Sequence, residues 1–404
     1  MSLNASESKA MTENSITFMV NNEGKLLKVF CEEFGDVDIP CSLPSGEEIT
    51  SIGPEVLVGR CSKVTIPDTV TSVDECAFQG AWAEEIHWSS NCCTIPSKCF
   101  FKCHSKVITN IESVTEIGPN AFKEAEVNGI IWPSGCKEIP AGCFQSSAIV
   151  EISNIQNVEK VGVKAFEDTY MDSIVWPDKA FEIPDKCFCC GSLEKISNIE
   201  HVTKIGVAAF RQTALSSITW PTNCKTIPKK CFAGTYIKEV TNTENVEEIQ
   251  PGAFCGGSLE AFKWPPKCKV IPKNCFRGTH LNYLVGTESV EKIEKGAFQG
   301  TWIPVFNWPS ICTTIPEKCF RWSKLKVLTN TKNVSNIEKH AFTKVVLAEK
   351  LDLSSSPISE IQKNAFKGVK EDMVTLPYYV TSEVCDAAFG KKKKGEEDED
   401  SDDE

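Results

Sequence analysis

The sequence predicts a repeat solenoid, right-handed, with parallel β-strands on a concave face and short irregular or helical return segments. Two series of phrases and their spacing carry that expectation. The phrase IPSKCF at Ile95 returns as IPAGCF at Ile139, IPDKCF at Ile183, IPKKCF at Ile227, IPKNCF at Ile271 and IPEKCF at Ile315, every step being 44 residues. A second series falls midway, 22 residues on: IGPNAF at Ile117, VGVKAF at Val161, IGVAAF at Ile205, IQPGAF at Ile249, IEKGAF at Ile293 and IEKHAF at Ile337. Degenerate copies at Ile52, Val73, Ile361 and Val384 bring the total to 16 turns. A period of about 22 residues with apolar positions at fixed offsets gives each turn one short strand and one return segment.

Taken in order, residues 1–15 are polar and are expected to be a disordered segment, and 16–51 a β-rich N-terminal cap. Residues 52–389 form the solenoid, paired as 44-residue units, and 390–404 a disordered tail of lysines and acids. One full turn reads LSSITWPTNCKTIPKKCF from Leu215. Strand residues alternate, so Leu215, Ile218 and Trp220 face the core while Ser217 and Thr219 face out. Trp88, Trp132, Trp176, Trp220, Trp264 and Trp308 recur every 44 residues; 22 residues after them stand Asn110, Asn154, Asn198, Asn242 and Asn330, with Gly286 as the exception. Tryptophan is expected to fill a core layer and asparagine to satisfy backbone groups where the chain leaves the strand. Phenylalanines such as Phe122 and Phe166 are expected to plug the convex side. The prolines Pro96, Pro140, Pro184, Pro228, Pro272 and Pro316 lack an amide hydrogen and belong to the return segment, so only the strands are expected to stack as a sheet.

The turns carrying IPDTVTSVDECAF, IGPNAF and IPAGCF, together with the opening FMVNNEGKLLKVF, GDVDIP and EEITSIG, resemble the BspA-like leucine-rich repeats of bacterial and protist proteins from about Ile16 to Phe389. Cysteine before phenylalanine in every other turn, and Trp-Pro where the family more often has Ile-Pro, are departures that leave the fold expectation intact. The resemblance implies, as one functional alternative, a surface-associated adhesin that contacts host or matrix proteins.

Of 404 residues, 43 are Lys or Arg and 55 Asp or Glu, a net charge of −12 that argues against nucleic-acid binding through a basic face. The N-terminal residues lack the basic start and apolar stretch of a secretory signal, and nowhere do about 18 apolar residues run together. The expectation is a cytoplasmic protein without an integral membrane segment, with display at the cell surface by unconventional export as the alternative.

Eleven of the 21 cysteines fall into two columns. Cys99, Cys143, Cys187, Cys231, Cys275 and Cys319 precede the phenylalanine; Cys92, Cys136, Cys224, Cys268 and Cys312 replace the valine found at Val114, Val158, Val202, Val246 and Val334. Equivalent cysteines two turns apart lie about 10 Å from one another, beyond the ~7 Å Cα reach of a disulfide. A bridge within a turn, such as Cys136 to Cys143, stays open, and the reading favoured is cysteine as a small reduced core residue. A cysteine-rich redox or metal-binding protein is the third functional alternative. Cys187, Cys189 and Cys190 cluster, as do Cys92, Cys93, Cys99 and Cys103 with His104, yet no paired CxxC at zinc spacing occurs. His87, His104, His201, His280 and His340 are read as occupying unrelated repeat positions. No nucleophile elbow, phosphate loop or dinucleotide fingerprint appears, so neither enzyme activity nor a cofactor or small-molecule substrate is expected.

The leading functional expectation is a non-enzymatic scaffold that binds a protein on its concave strand face. The candidate column is Thr109, Ile131, Ser153, Val175, Ser197, Thr219, Thr241, Lys263, Val285, Asn307 and Thr329, small, β-branched and nearly uncharged. In the tail, Ser401 before Asp402, Asp403 and Glu404 is a candidate site for an acidophilic kinase.

Overall fold

The structure is a computed structural model that describes residues 8–13 and 15–391. The chain divides into two compact units, Met1–Leu215 and Ser216–Glu404.

The first unit opens with an antiparallel meander of β1 (Ser8–Glu13), β2 (Ile16–Asn21) and β3 (Lys25–Cys31). Ser8–Glu13 is therefore strand rather than part of a disordered 1–15 segment: its backbone pairs with β2 from Ser8↔Asn21 to Glu13↔Ile16. The Asn21 carboxamide oxygen closes the β2–β3 turn by accepting from the Lys25 amide at 2.8 Å, and Gly24 takes the left-handed φ of 77° that the turn requires. β4 (Asp36–Asp38), β5 (Ser51–Ile52), β6 (Leu57–Val58), β7 (Arg60–Thr65), β8 (Ser72–Val73) and β9 (Trp82–His87) follow. All of their pairings are parallel. β3 passes the meander on to β5 and β6, and β5 pairs with β8, while β4, β7, β9 and Val107–Thr109 form a separate ladder.

From there each turn repeats one plan. A three-residue strand such as Gly129–Ile131 pairs in parallel with its counterpart Glu151–Ser153, and the two-residue strand Glu138–Ile139 pairs with Lys160–Val161. Two strand ladders thus exist where the prolines predicted one, because the proline stands just after the short strand and costs it no ladder donor. The rest of the turn holds almost no helix. Left-handed residues flank the phenylalanine on both sides, Asn120 at φ 58° and Glu124 at 56°, Lys164 at 61° and Asp168 at 57°, and such residues interrupt a helix before it can propagate. The amides here bond to the next turn instead, as Phe122 N to Cys143 O at 2.9 Å and Phe144 N to Ala165 O at 2.9 Å.

Phe122 and Phe166 do not plug an outer side. They are 0% exposed and belong to an internal stack, with ring centroids 5.3 Å apart from Phe122 to Phe144 and 5.6 Å from Phe144 to Phe166. Trp132 meets Phe144 edge-on at 6.0 Å and gives its indole hydrogen to Cys136 O at 3.2 Å. Asn154, at φ 61°, gives its side-chain amide to Trp132 O at 2.7 Å. Asn110 and Asn198 do the same for Trp88 and Trp176.

The second unit follows the same plan. Ser217–Thr219, Glu239–Thr241, Ala261–Lys263 and Tyr283–Val285 form one parallel sheet, and Trp302–Asn307, Lys324–Thr329 and Val346–Leu347 another. Leu215 in the first unit, and Ile218 and Trp220 in the second, are buried, while Ser217 and Thr219 are exposed, as the alternation requires. Gly286, the one break in the asparagine column, has φ 81° and so keeps the same left-handed corner without a side chain. The last turn carries α1 (Ser382–Ala388), whose first turn is capped by the Thr381 hydroxyl accepting from the Val384 amide. Phe389 then closes the phenylalanine stack on Phe366 at 5.4 Å.

The asparagine corner is directly testable. Asn154→Ala removes the bond to Trp132 O and places alanine in a left-handed conformation, so its thermal unfolding should show a loss of about 2 kcal/mol. Asn154→Gly keeps the conformation and should lose about 1 kcal/mol.

Candidate functional site

The strand face has three rows of side chains. The candidate column is the last residue of each strand, and parallel register sets the members side by side: Ile131 beside Ser153 and Val175 beside Ser197 in the first unit. Thr219 faces Thr241, Lys263 faces Val285 and Asn307 faces Thr329 in the second. All eleven reach the surface, with Thr109 and Ser197 half-buried and the others exposed. Ile131 is 69% exposed and Val175 62%.

In the first unit this face has two shallow grooves. One of about 430 Å³ runs from Val107 past Asn110 and Glu112 to Ile131 and Ser153; the next, of about 460 Å³, runs from Val150 past Asn154 to Asp172 and Val175. Both lie where an asparagine corner lifts the chain beside the strand. The exposed acids Glu112, Glu151, Asp172, Glu194 and Glu200 flank them, and none forms an ion pair among the described residues. Lys63, Lys106 and Lys195 are the basic residues in the same rows, and Lys63 pairs with Glu85 at 3.0 Å. On the two-residue ladder charges are instead paired across rungs, Lys160 with Glu138 at 2.7 Å and Lys204 with Glu182 at 3.1 Å.

An aromatic and cationic column stands at the start of the strands. The Arg60 guanidinium lies 4.1 Å over Trp82, the Trp82 and His104 rings stack at 3.6 Å, and His104 Nδ1 meets Glu126 Oε1 at 2.8 Å. The second unit repeats the motif with His280, Trp302 and the Lys324 ammonium, 5.8 Å and 5.7 Å from the tryptophan ring. The histidines are thus not all in unrelated positions: His104 and His280 are 280 − 104 = 176 residues, or eight periods of 22, apart. That spacing was present in the sequence, and placing the residues in columns exposes it.

The cysteine columns point inward. Cys99, Cys143, Cys187, Cys231, Cys275 and Cys319 are 0% exposed, and burial raises the thiol pKa of Cys99, Cys143, Cys187, Cys275 and Cys319 well above the ordinary value. In the second column burial pushes Cys136 to about 11 and Cys224 and Cys268 to about 12. Among the described residues no group of three or more His, Cys, Asp or Glu side chains is placed to hold a metal ion, and no helix is long and apolar enough to cross a membrane. Ser401 lies outside the described residues.

Stacked strands, two ladders and a phenylalanine spine at a 22-residue period also mark a known repeat type. The profile of the BspA type leucine rich repeat region matches in six overlapping copies that run from residue 50 to 394. The chain belongs to this family. Among solved structures, the BspA-type chain is similar to a leucine-rich repeat protein from Bacteroides ovatus, with 20% identity over 91% of this chain and 92% of that one and a TM-score of 0.64. A leucine rich cell surface protein from Faecalibacterium prausnitzii gives 17% identity over 96% and 100% of the two chains, with a TM-score of 0.47. No curated protein matches the chain. At these identities the likeness shows the fold alone, and the repeat fold is a scaffold type suited to protein interaction.

The raised thiol pKa values predict a reactivity pattern. At pH 7 the buried column thiols are protonated and enclosed, so iodoacetamide should label the exposed Cys41, Cys93 and Cys190 in native protein and leave Cys99, Cys143, Cys187, Cys275 and Cys319 unlabelled. Peptide mass spectrometry before and after denaturation checks the difference.

Proposed function

We propose that this BspA-type protein is a non-enzymatic scaffold that binds a protein partner on its strand face, with the first unit supplying a principal contact. The observation that carries the reading is the exposure of Ile131 and Val175 on a face whose flanking acids Glu112, Glu151 and Asp172 form no ion pair among the described residues. Isolated exposed apolar residues are ordinary. Here they alternate with Ser153 and Ser197 along one row, with a groove on each side of the rung. A partner segment with apolar side chains and a basic flank complements this surface: the apolar groups cover Ile131 and Val175, and Lys or Arg neutralises Glu112, Glu151 and Asp172.

Each added side chain along the row contributes little, so the strength of binding comes from repetition over several turns. The candidate residues Thr219, Thr241, Lys263, Val285, Asn307 and Thr329 extend the same kind of row in the second unit, where Tyr283, Val285 and Val305 are exposed at 69%, 56% and 54%.

The test compares partner capture from source-cell extract by three forms of the full chain. The double variant Ile131→Ser/Val175→Ser should lose at least tenfold in affinity for the captured protein with its melting temperature unchanged, since both side chains are exposed. The control Val163→Ser/Val207→Ser, altered at exposed valines of the return segments, should bind as the unaltered protein does. Equal binding by all three forms would remove the strand face from the interaction. A steep fall in affinity with added salt is expected if the acids contribute as described.

A further inference from the structure

Cys189 and Cys190 are adjacent in the chain, and the corner after Phe188 turns their side chains toward each other. Their two sulfurs stand 3.2 Å apart. Along an extended strand neighbouring side chains point to opposite faces, but Cys190 has a left-handed φ of 66°, and the chain reverses there. Backbone bonds to both neighbouring turns hold the corner, Asp168 N to Cys189 O and Cys190 N to Arg211 O, each at 2.8 Å. Cys189 is 2% exposed, while Cys190 is exposed and its thiol reaches Gln212 Oε1 at 3.4 Å. Adjacency alone does not produce such a pair. At Cys92 and Cys93 the thiols bond to separate carbonyls, Thr94 O at 3.4 Å and Asn91 O at 4.0 Å.

We infer that Cys189 and Cys190 form a chelating dithiol site for a trivalent arsenical. Cysteine sulfur is a soft donor, and trivalent arsenic is a soft centre that binds two sulfurs with a nearly right-angled bite. A direct bridge suits this pair less well. The ~3.8 Å between adjacent Cα atoms across a trans peptide falls below the ~4.4 Å that an unstrained disulfide needs, and one intervening atom between the sulfurs removes that conflict. With an arsine oxide, R–As=O, two As–S bonds form, both S–H bonds and the As=O bond break, and the two protons leave with the oxygen as one water. Arsenic stays trivalent, so no oxidant or reductant takes part.

The two thiols differ in a way that suits this condensation. Cys190 meets the arsenical from solvent, and Cys189 beneath it closes the chelate. Burial, and then the hydrogen bond with Cys190, push the Cys189 thiol up to about 12, so it carries its proton at neutral pH. Loss of water consumes that proton. Cys187 is 0% exposed in its core column, which leaves the site with two sulfurs and a third arsenic substituent that comes from the ligand.

The experiment titrates the reduced full chain with phenylarsine oxide in the presence of glutathione, a monothiol that strips arsenic from single cysteines. Native mass and the iodoacetamide labelling of Cys190, mapped by peptide mass spectrometry, are the readouts. One phenylarsenic group per chain is expected, with Cys190 protected from iodoacetamide and its labelling restored by the small dithiol dimercaptopropanol. Cys190→Ser should bind on the order of 100-fold more weakly with its melting temperature unchanged, because the second bond to arsenic is no longer intramolecular. Cys189→Ala keeps the exposed thiol and should lose a similar factor, which separates chelation from capture by Cys190 alone. As Cys189 is buried, Cys190→Ser carries the test if Cys189→Ala does not fold. Cys93→Ser should bind as the unaltered chain does. Cys190 still labelled at saturating arsenical, equal affinity in Cys190→Ser, or a phenylarsenic group mapped to another pair of cysteines would overturn the inference.

Discussion

Every turn of this chain must find hydrogen-bond partners for its backbone on the turns before and after it. That requirement sets the fold. It is met at three places in each rung: the three-residue strand, the two-residue strand and the turn at the phenylalanine, where Phe100 N reaches Ala121 O at 2.8 Å and Phe276 N reaches Ala297 O at 2.8 Å. Once backbones align in this way, a residue is stacked on the residue 22 positions away, and each column has to tolerate its own kind. Phenylalanine does so well, since near-parallel rings such as Phe144 and Phe166, at 5° and 5.6 Å, pack with no gap between rungs.

Tryptophan obeys the same constraint differently and thereby doubles the period. The indoles stand steeply across the phenylalanine stack, at 62° for Trp132 against Phe144 and 70° for Trp220 against Phe232. A ring set at that angle extends along the stacking direction beyond the ~4.8 Å of one rung, so the neighbouring turn has room only for a smaller group. Asparagine supplies it and uses its amide to satisfy the tryptophan carbonyl, which the corner would otherwise leave without a strand partner. Cysteine fits the small core sites beside the large rings for the same steric reason, and burial then suppresses its reactivity.

Outside the core, stacking acts on charge. Like charges one rung apart repel, and from Glu138 through Lys160 and Glu182 to Lys204 the two-residue ladder alternates acid with base. Around Ile131 and Val175 on the strand face of the first unit, Glu112, Glu151 and Asp172 form no ion pair among the described residues. Local fold stability gives no reason for these unpaired acids, and the proposed partner surface rests on them.

The sequence by itself determined what is periodic: the 22-residue rung, the inward and outward sides of Leu215 through Trp220, the asparagine corners and the buried cysteine columns. Each of these is a relation between a residue and its own copy, and one chain contains many copies to compare. Tertiary structure decided what has no copy or needs geometry across rungs. The strand at Ser8–Glu13 exists because β2 offers an edge, although its own residues are polar. The second strand ladder and the non-helical corners depend on left-handed backbone at residues such as Glu124 and Lys164, side chains that carry no local preference for it. The Trp82–His104 stack joins side chains from different turns, and distance along the chain does not report contact across the rungs.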